Sequence, residues 1–443
     1  PIIRCASYSL PRACLPSLLV ASLYRTSKGS SGPPESPLKR NAEREVVRIA
    51  LSAITSCRLF LTHVAPSRSQ PSAVTKSSLR LPVNPMHEDD PSPDGIRYPQ
   101  LRGMAYAPSD FKPAFNSGVA PAEDLTLEFV YGYRGKDCRS NLYYLAHSVN
   151  GHELVYFTSA TVVLFNQANQ IQRFFREHTD DVVSLAVHPD LRTCASGQVG
   201  RQPKILVWDS THLKTTVELT GFHQRGVGSL AFSKDGAQLV STGQDNDHSI
   251  AVYDWRAGTK LYSDKCHNDQ VFTSSFNPIT DTIVTCGVKH IKFWSVESGR
   301  LHSRRGIFGK KGALQTVMCV AFTPTGTTLT GCYDGDVYCW KGNELASKFN
   351  AHEGPCYAIA TLKDGFVTGG KDGKLKIWDN RQGFTKEISM TKEDGSLLNI
   401  RTLHASPESI SNPVKVLVGT ATNEIFEVDL SSMAVKQVMS AHS

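Results

Sequence analysis

Three arginines or lysines, five aromatics and two glycines crowd into the nineteen residues LEFVYGYRGKDCRSNLYYL, positions 127 to 145. Cationic, ring-bearing and flexible groups at this density could cradle a phosphate, stack nucleobases, or form the packed entrance to a domain. A phosphate loop needs four residues between its glycines and a Ser or Thr after its lysine, so that successive N–H groups converge on the anion. Gly132 and Gly135 are separated by two residues, and Asp137 follows Lys136. That chemistry is excluded. An RNA clamp needs exposed rings alternating with cations on a sheet. Phe129, Tyr131 and Tyr133 would share one face of an extended strand, but Asp137 interrupts the cations and apolar strand-like runs flank the segment on both sides. A ring row beside such runs packs as core. The segment is expected to enter a fold and not to bind nucleic acid.

Other reactive groups fall into no catalytic pattern. The chain has no HExxH, nucleophile elbow or dinucleotide fingerprint, so no enzyme and no cofactor is expected. Eleven cysteines contain no CxxC pair, which leaves a zinc site without support. Cys194, Cys286, Cys319, Cys332 and Cys339 lie inside apolar runs, where cysteine behaves as a small hydrophobe, and the odd count favours reduced thiols inside a cell. The formal charge of +7 is local: residues 1–120 hold 15 Lys/Arg against 8 Asp/Glu, whereas residues 121–443 hold 33 of each. A neutral body argues against a global field drawing it to nucleic acid or membrane.

The elements that position these groups repeat. Short apolar runs ending in an aromatic (KILVWD, SIAVYD, HIKFW, DVYCW, KLKIWD, then EIFEVD) place that residue at 208, 253, 294, 340, 378 and 428, in steps of 45, 41, 46, 38 and 50. His178, His223, His267, His352 and His442 keep the same count, at one, one, two and two periods. Each unit reads as four short strands separated by turn residues such as KDG and PTG, with no helical periodicity. A four-stranded sheet apolar on both faces is buried by stacking radially against its neighbours.

This period resembles the WD40 repeat, and the unit around residue 370 is similar in detail: His352, Thr368, Asp372 and Trp378 match that family's buried hydrogen-bond network. The unit ending at Trp208 lacks the aspartate, the unit ending at Trp294 has GVKHIK at the turn, and the last lacks the aromatic, departures that weaken the expectation of rigidity for those blades. The expected architecture is all-β, a propeller of about seven four-stranded antiparallel blades. Residues 1–120 form a mostly disordered basic tail, 121–176 a hydrophobic motif making the first sheet, and 177–443 six repeats completing the ring. Within the first sheet the strands are expected at LTLEFVYGY, NLYYLA, HELVYFTS and ATVVLFNQ, ending at IQRFF.

The tail is rich in Ser, Pro and Arg and cannot bury enough apolar surface to offset its ordering entropy. LPSLLVASLY resembles a signal or transit core, but the chain opens on Pro1 and its first methionine is Met86. Arg48 and Arg58 interrupt the apolar stretch EVVRIALSAITSCRLFLTHVA, which argues against a membrane span.

VYGYRGKDCRSNLYYL, ELVYFTSATVVLFN, QRFFREHTDDVVSLAVHPD, GVKHIKFW and RRGIFGKKGALQTVMCVAF together resemble the echinoderm microtubule-associated-protein-like family from about Leu125 to Ser443. The resemblance implies that Tyr131, Gly132, Tyr133, Arg134, Gly135, Asp137, Cys138 and Arg139 are structural, packing and pairing within the fold. It also implies a non-enzymatic, cytoplasmic and cytoskeletal protein that binds tubulin. Family members carry a second propeller and some an N-terminal coiled coil. This chain stops at MSAHS and shows no heptad run, so it reads as a single-propeller piece. Tubulin is acidic, and Arg304, Arg305, Lys310 and Lys311 around Ile307 and Phe308 are the candidate contacts. The alternative is a general WD40 adaptor that recruits other proteins at the rim.

Overall fold

The computed structural model describes residues 21–27, 96–97, 104–105, 124–147, 151–392, 395–407 and 414–440. Among these, all regular structure is β-strand. Of the expected tail, the described residues are the strand Ala21–Ser27, antiparallel to Asp124–Tyr131, and the pair Ile96–Arg97 and Met104–Ala105. The rest of the expected disordered segment lies outside the described residues, as does His442.

Seven consecutive units of four antiparallel strands follow. Blade 1 comprises Leu142–His147, Gly151–Thr158, Thr161–Asn166 and Ile171–Phe175. Blades 2 to 7 begin with the inner strands Val182–Val187, Arg225–Phe232, Val271–Phe276, Val317–Phe322, Cys356–Leu362 and Ile400–Ala405. Blades 2 and 3 fuse into one eight-stranded sheet because the long strand Thr193–Gly200 also pairs with Arg225 and Gly226. Each inner strand packs on the next, and Ile400–Ala405 returns to Leu142–His147, so the ring closes. None of the seven units borrows a strand from the far end of the chain.

The period-2 alternation of a strand explains the arrangement. In Gly151–Thr158, Leu154 and Tyr156 face blade 7, while Val155 and Phe157 face blade 2. Seven apolar clusters fill the seven gaps between neighbouring blades. Cysteines serve here as small apolar groups: all eight described ones are free thiols, and seven are buried.

The strand Asp124–Tyr131 corrects one expectation. It lies outside the first sheet, whose fourth strand is Ile171–Phe175. The reason is a side chain in place of a ladder. The Gln172 amide accepts from Val130 N–H at 2.7 Å and donates to Val130 C=O at 3.1 Å, so it satisfies the peptide group that a fifth strand would otherwise pair.

A buried hydroxyl pins the tryptophan in four blades. Trp208, Trp294, Trp340 and Trp378 donate their indole N–H to Ser196, Thr285, Thr330 and Thr368 at 2.9–3.0 Å. In blade 6, His352 Nε2 lies 2.8 Å from Thr368 Oγ1 and its Nδ1 2.9 Å from Asp372. The units that depart from the pattern in sequence keep the connection by substitution. Gln198 takes the aspartate's place, 2.9 Å from His178 Nδ1, while His178 Nε2 reaches Ser196. In blade 4, His290 from the GVKHIK turn itself binds Thr285 at 2.9 Å and stacks on His267 at 4.5 Å. Both blades thus keep a hydrogen-bonded network despite their departures in sequence.

Burial lowers the His178 pKa from 6.5 to about 4. Burial, and then the neighbouring His267 and Lys292, lower that of His290 to about 3. Each is held neutral in the fold but takes a proton more readily when unfolded, so stability present above pH 6.5 is lost as the pH falls toward the folded values. The expected loss is on the order of 3 kcal/mol per histidine over the full range. Calorimetric melting between pH 6.5 and 5, above the usual carboxylate range, should show a falling midpoint, and His178→Asn should flatten the slope. A midpoint independent of pH in this window would contradict the assignment.

Candidate functional site

The aromatic hinge lies at the seam between the last blade and the first. Tyr133 is 2% exposed and shares a cluster with Tyr144, Tyr156, Leu417 and Ile425. Phe129 and Tyr131 are half-buried, with rings 4.6 Å apart, and Phe129 meets Phe165 edge-on. The three rings are thus not displayed to solvent as a stacking platform.

Asn141, fully buried, gathers the seam. Its Oδ1 accepts from the Tyr133 hydroxyl at 2.5 Å and from Thr402 of blade 7 at 3.1 Å, and its Nδ2 donates to Arg134 C=O at 2.5 Å. Burial raises the Tyr133 pKa well above the ordinary phenol value, so the hydroxyl stays a donor. Gly135 is buried where its N–H meets Asn423 Oδ1 at 3.1 Å, and a Cβ there would lie 2.0 Å from Thr420 C=O. Only glycine permits that approach. Across the same gap the Tyr144 hydroxyl donates to Glu427 at 2.8 Å.

Two charged members of the hinge, Arg134 and Asp137, pair with each other. Arg134 forms two bonds to Asp137, at 2.9 and 2.8 Å, and reaches Asp181 at 3.4 Å and Val182 C=O at 3.3 Å, which ties the hinge to blade 2. Burial would raise the Asp137 pKa, but the Arg134 bonds and charge outweigh it and lower it. Cys138 packs between blades 1 and 2, and burial pushes its thiol pKa up, which favours the protonated thiol. Gly132 is half-buried, and a Cβ there would meet nothing within 4 Å. Arg139 turns toward the central channel, its guanidinium carbon 3.9 Å from the Phe272 ring centroid. His352, Thr368, Asp372 and Trp378 stand apart from the hinge, within blade 6.

The four basic candidates are exposed: Arg304 and Arg305 end the fourth strand of blade 4, Arg300–Arg305, and Lys310 and Lys311 lie on the connection from it to blade 5. Phe308 anchors that connection, packing in the cluster between these blades 5.2 Å from the Trp340 ring. Backbone bonds from Ile307 to Asn343 and from Leu345 to Ile307, at 2.8 and 2.9 Å, hold it along the edge of blade 5. Arg304 pairs with Glu297 at 3.1 Å, and Lys311 donates to Ala346 C=O at 2.8 Å. Arg305 and Lys310 form no ion pair among the described residues. Sequence reasoning missed Asn141 and Gln172, because a lone amide carries no periodic signal; only their position at a seam gives them work.

The seam should be far more sensitive than the nearby surface. Tyr133→Ala is expected to cost about 3–5 kcal/mol of unfolding free energy. The exposed Lys136→Ala should stay within about 0.5 kcal/mol of the parent. Denaturant melts would check both, and equal costs would argue against the seam.

Comparison with known proteins gives the architecture a family. The model described as the first β-propeller of echinoderm microtubule-associated protein matches residues 171–428, and the HELP motif matches residues 120–163. Echinoderm microtubule-associated protein-like 1 of Homo sapiens is 39% identical over 328 residues, covering 70% of this chain and 39% of that protein. The 77 kDa echinoderm microtubule-associated protein of Strongylocentrotus purpuratus is 36% identical over 357 residues, 76% of this chain and 51% of that protein. The chain therefore spans about two-fifths to half the length of these relatives. With its HELP motif built into the seam of a seven-bladed ring, the chain belongs to the echinoderm microtubule-associated protein-like family.

Proposed function

We propose that the chain is a non-enzymatic microtubule-associated protein of the cytoplasmic cytoskeleton, and that it contacts tubulin through the propeller rim at Arg304, Arg305, Lys310 and Lys311. The observation that carries the site is the Phe308 anchor, which holds an exposed cationic segment against the wall between blades 4 and 5. Pre-ordering this segment reduces the entropy lost on binding, and its charge complements an acidic partner. Relatives named as microtubule-associated proteins support the partner class. Tyr131, Gly132, Tyr133, Arg134, Gly135, Asp137, Cys138 and Arg139 are proposed as structural, because this segment packs or pairs within the fold, Arg134 with Asp137 and Arg139 against Phe272.

Large exposed side chains favour a second reading. Leu314 and Tyr333 are 56% and 60% exposed on adjoining loops of blade 5, a surface that would suit an adaptor recruiting another protein. No described helix is long and apolar enough to cross a membrane.

Replacing the four basic residues by alanine should weaken microtubule co-sedimentation about ten-fold or more, from the summed loss of several rim contacts. The melting temperature should not change, since none of the four is in the core. Residues 121–443 alone should retain binding; loss without the tail would transfer the contact to its surplus positive charge, with steep salt sensitivity. Binding by the four-alanine variant at parental strength would dismiss this surface, and a pull-down dominated by non-tubulin partners would favour the adaptor reading.

A further inference from the structure

The inner strands of blades 2 to 7 share an irregularity. Each skips one residue in its pairing with the second strand, at Val183, Gly228, Phe272, Met318, Tyr357 and Arg401. A bulge breaks the alternation and re-aims its residue. Repeated around a ring, it sets one layer of groups about the central channel. Arg139 reaches this layer from the hinge. Besides Phe272, its guanidinium lies 6.0 Å from the Tyr357 centroid and donates to Met318 C=O at 3.2 Å.

Arg401 meets the same Tyr357 ring at 4.0 Å. The two guanidinium carbons are therefore no farther apart than the sum of their distances to that ring. Neither arginine pairs with a carboxylate among the described residues. The Arg401 Nε is buried with no hydrogen-bond partner. Between the two arginines lies a cavity, also lined by Ser140 and Thr402, in which water-sized molecules could centre over about 40 Å³. Two like charges facing one cavity repel, and a counter-charge between them would offset that repulsion.

We propose that the channel is an oxyanion site, with Arg139 and Arg401 gripping one carboxylate or phosphate group. The cavity has room for a single such group. The two planar guanidiniums supply the forked N–H donors that such groups accept. Ser140 also lines the wall, while the Thr402 hydroxyl is held by Asn141. This site is independent of the rim contact proposed for tubulin.

Titration calorimetry of the full chain at constant ionic strength, with inorganic phosphate in one arm and hexaglutamate in the other, tests the site. Saturable binding is expected in at least one arm. Phosphate binding identifies a free oxyanion, whereas binding of hexaglutamate alone identifies a carboxylate presented by an acidic protein partner. Arg401→Gln should weaken it about ten- to hundred-fold, the loss of one hydrogen bond between charged groups. Arg139→Gln should act in the same direction, but Arg139 also packs on Phe272, so Arg401→Gln is the decisive variant. Added ligand should raise the melting temperature of the parent and leave that of Arg401→Gln unchanged. Absence of saturable binding in both arms, or equal affinity in the parent and Arg401→Gln, would overturn the proposal.

Discussion

A four-stranded sheet with two apolar faces cannot stand alone in water, and every other feature of this protein follows from that constraint. Alternation sends Leu154 and Tyr156 one way and Val155 and Phe157 the other, so each blade requires a neighbour on both sides. A linear stack would leave two faces wet. Closing it into a ring removes them, at the demand of one contact between residues nearly 300 positions apart, as between Gly135 and Asn423. Here that contact is made by the wedge from Val130 to Asn141 and not by a borrowed strand. The buried Asn141 amide spends its acceptor on Tyr133 and Thr402 and its donor on Arg134, so both ends of that amide are paired within the joint.

Within the blades the constraint is local and tolerates exchange. A tryptophan buried between sheets needs an acceptor for its N–H, and a Ser or Thr on the adjacent strand provides it. What holds that hydroxyl can vary. Asp372 acts through His352, Gln198 acts through His178, and His290 reaches Thr285 directly from the turn. The physical requirement is a partner for each polar atom, which several side chains can meet in one geometry.

This economy also separates structure from recognition. The hinge has the composition of a binding loop, yet its rings are packed and Arg134 and Asp137 are paired with each other. The four cations near Phe308 show the reverse: Phe308 is partly buried against blade 5 and their charges are exposed. The channel is a third environment, where the bulge layer brings Arg139 and Arg401 to one tyrosine without a carboxylate beside them.

Periodic features were legible in the sequence alone. Aromatic spacing near the repeat length, turn residues and recurring histidines specify strands, blades and their number, because each depends on neighbours within one unit. The network of blade 6 could be named residue by residue for the same reason. The sequence could not show that Asp124–Tyr131 lies beside the first sheet rather than in it, since a strand-like run reads alike in either place and only Gln172 decides. Nor could it show that Asn141 serves the seam, or that Arg139 and Arg401, 262 positions apart, meet one ring. Those relations exist only once the ring closes, because closure brings together residues that no local pattern connects.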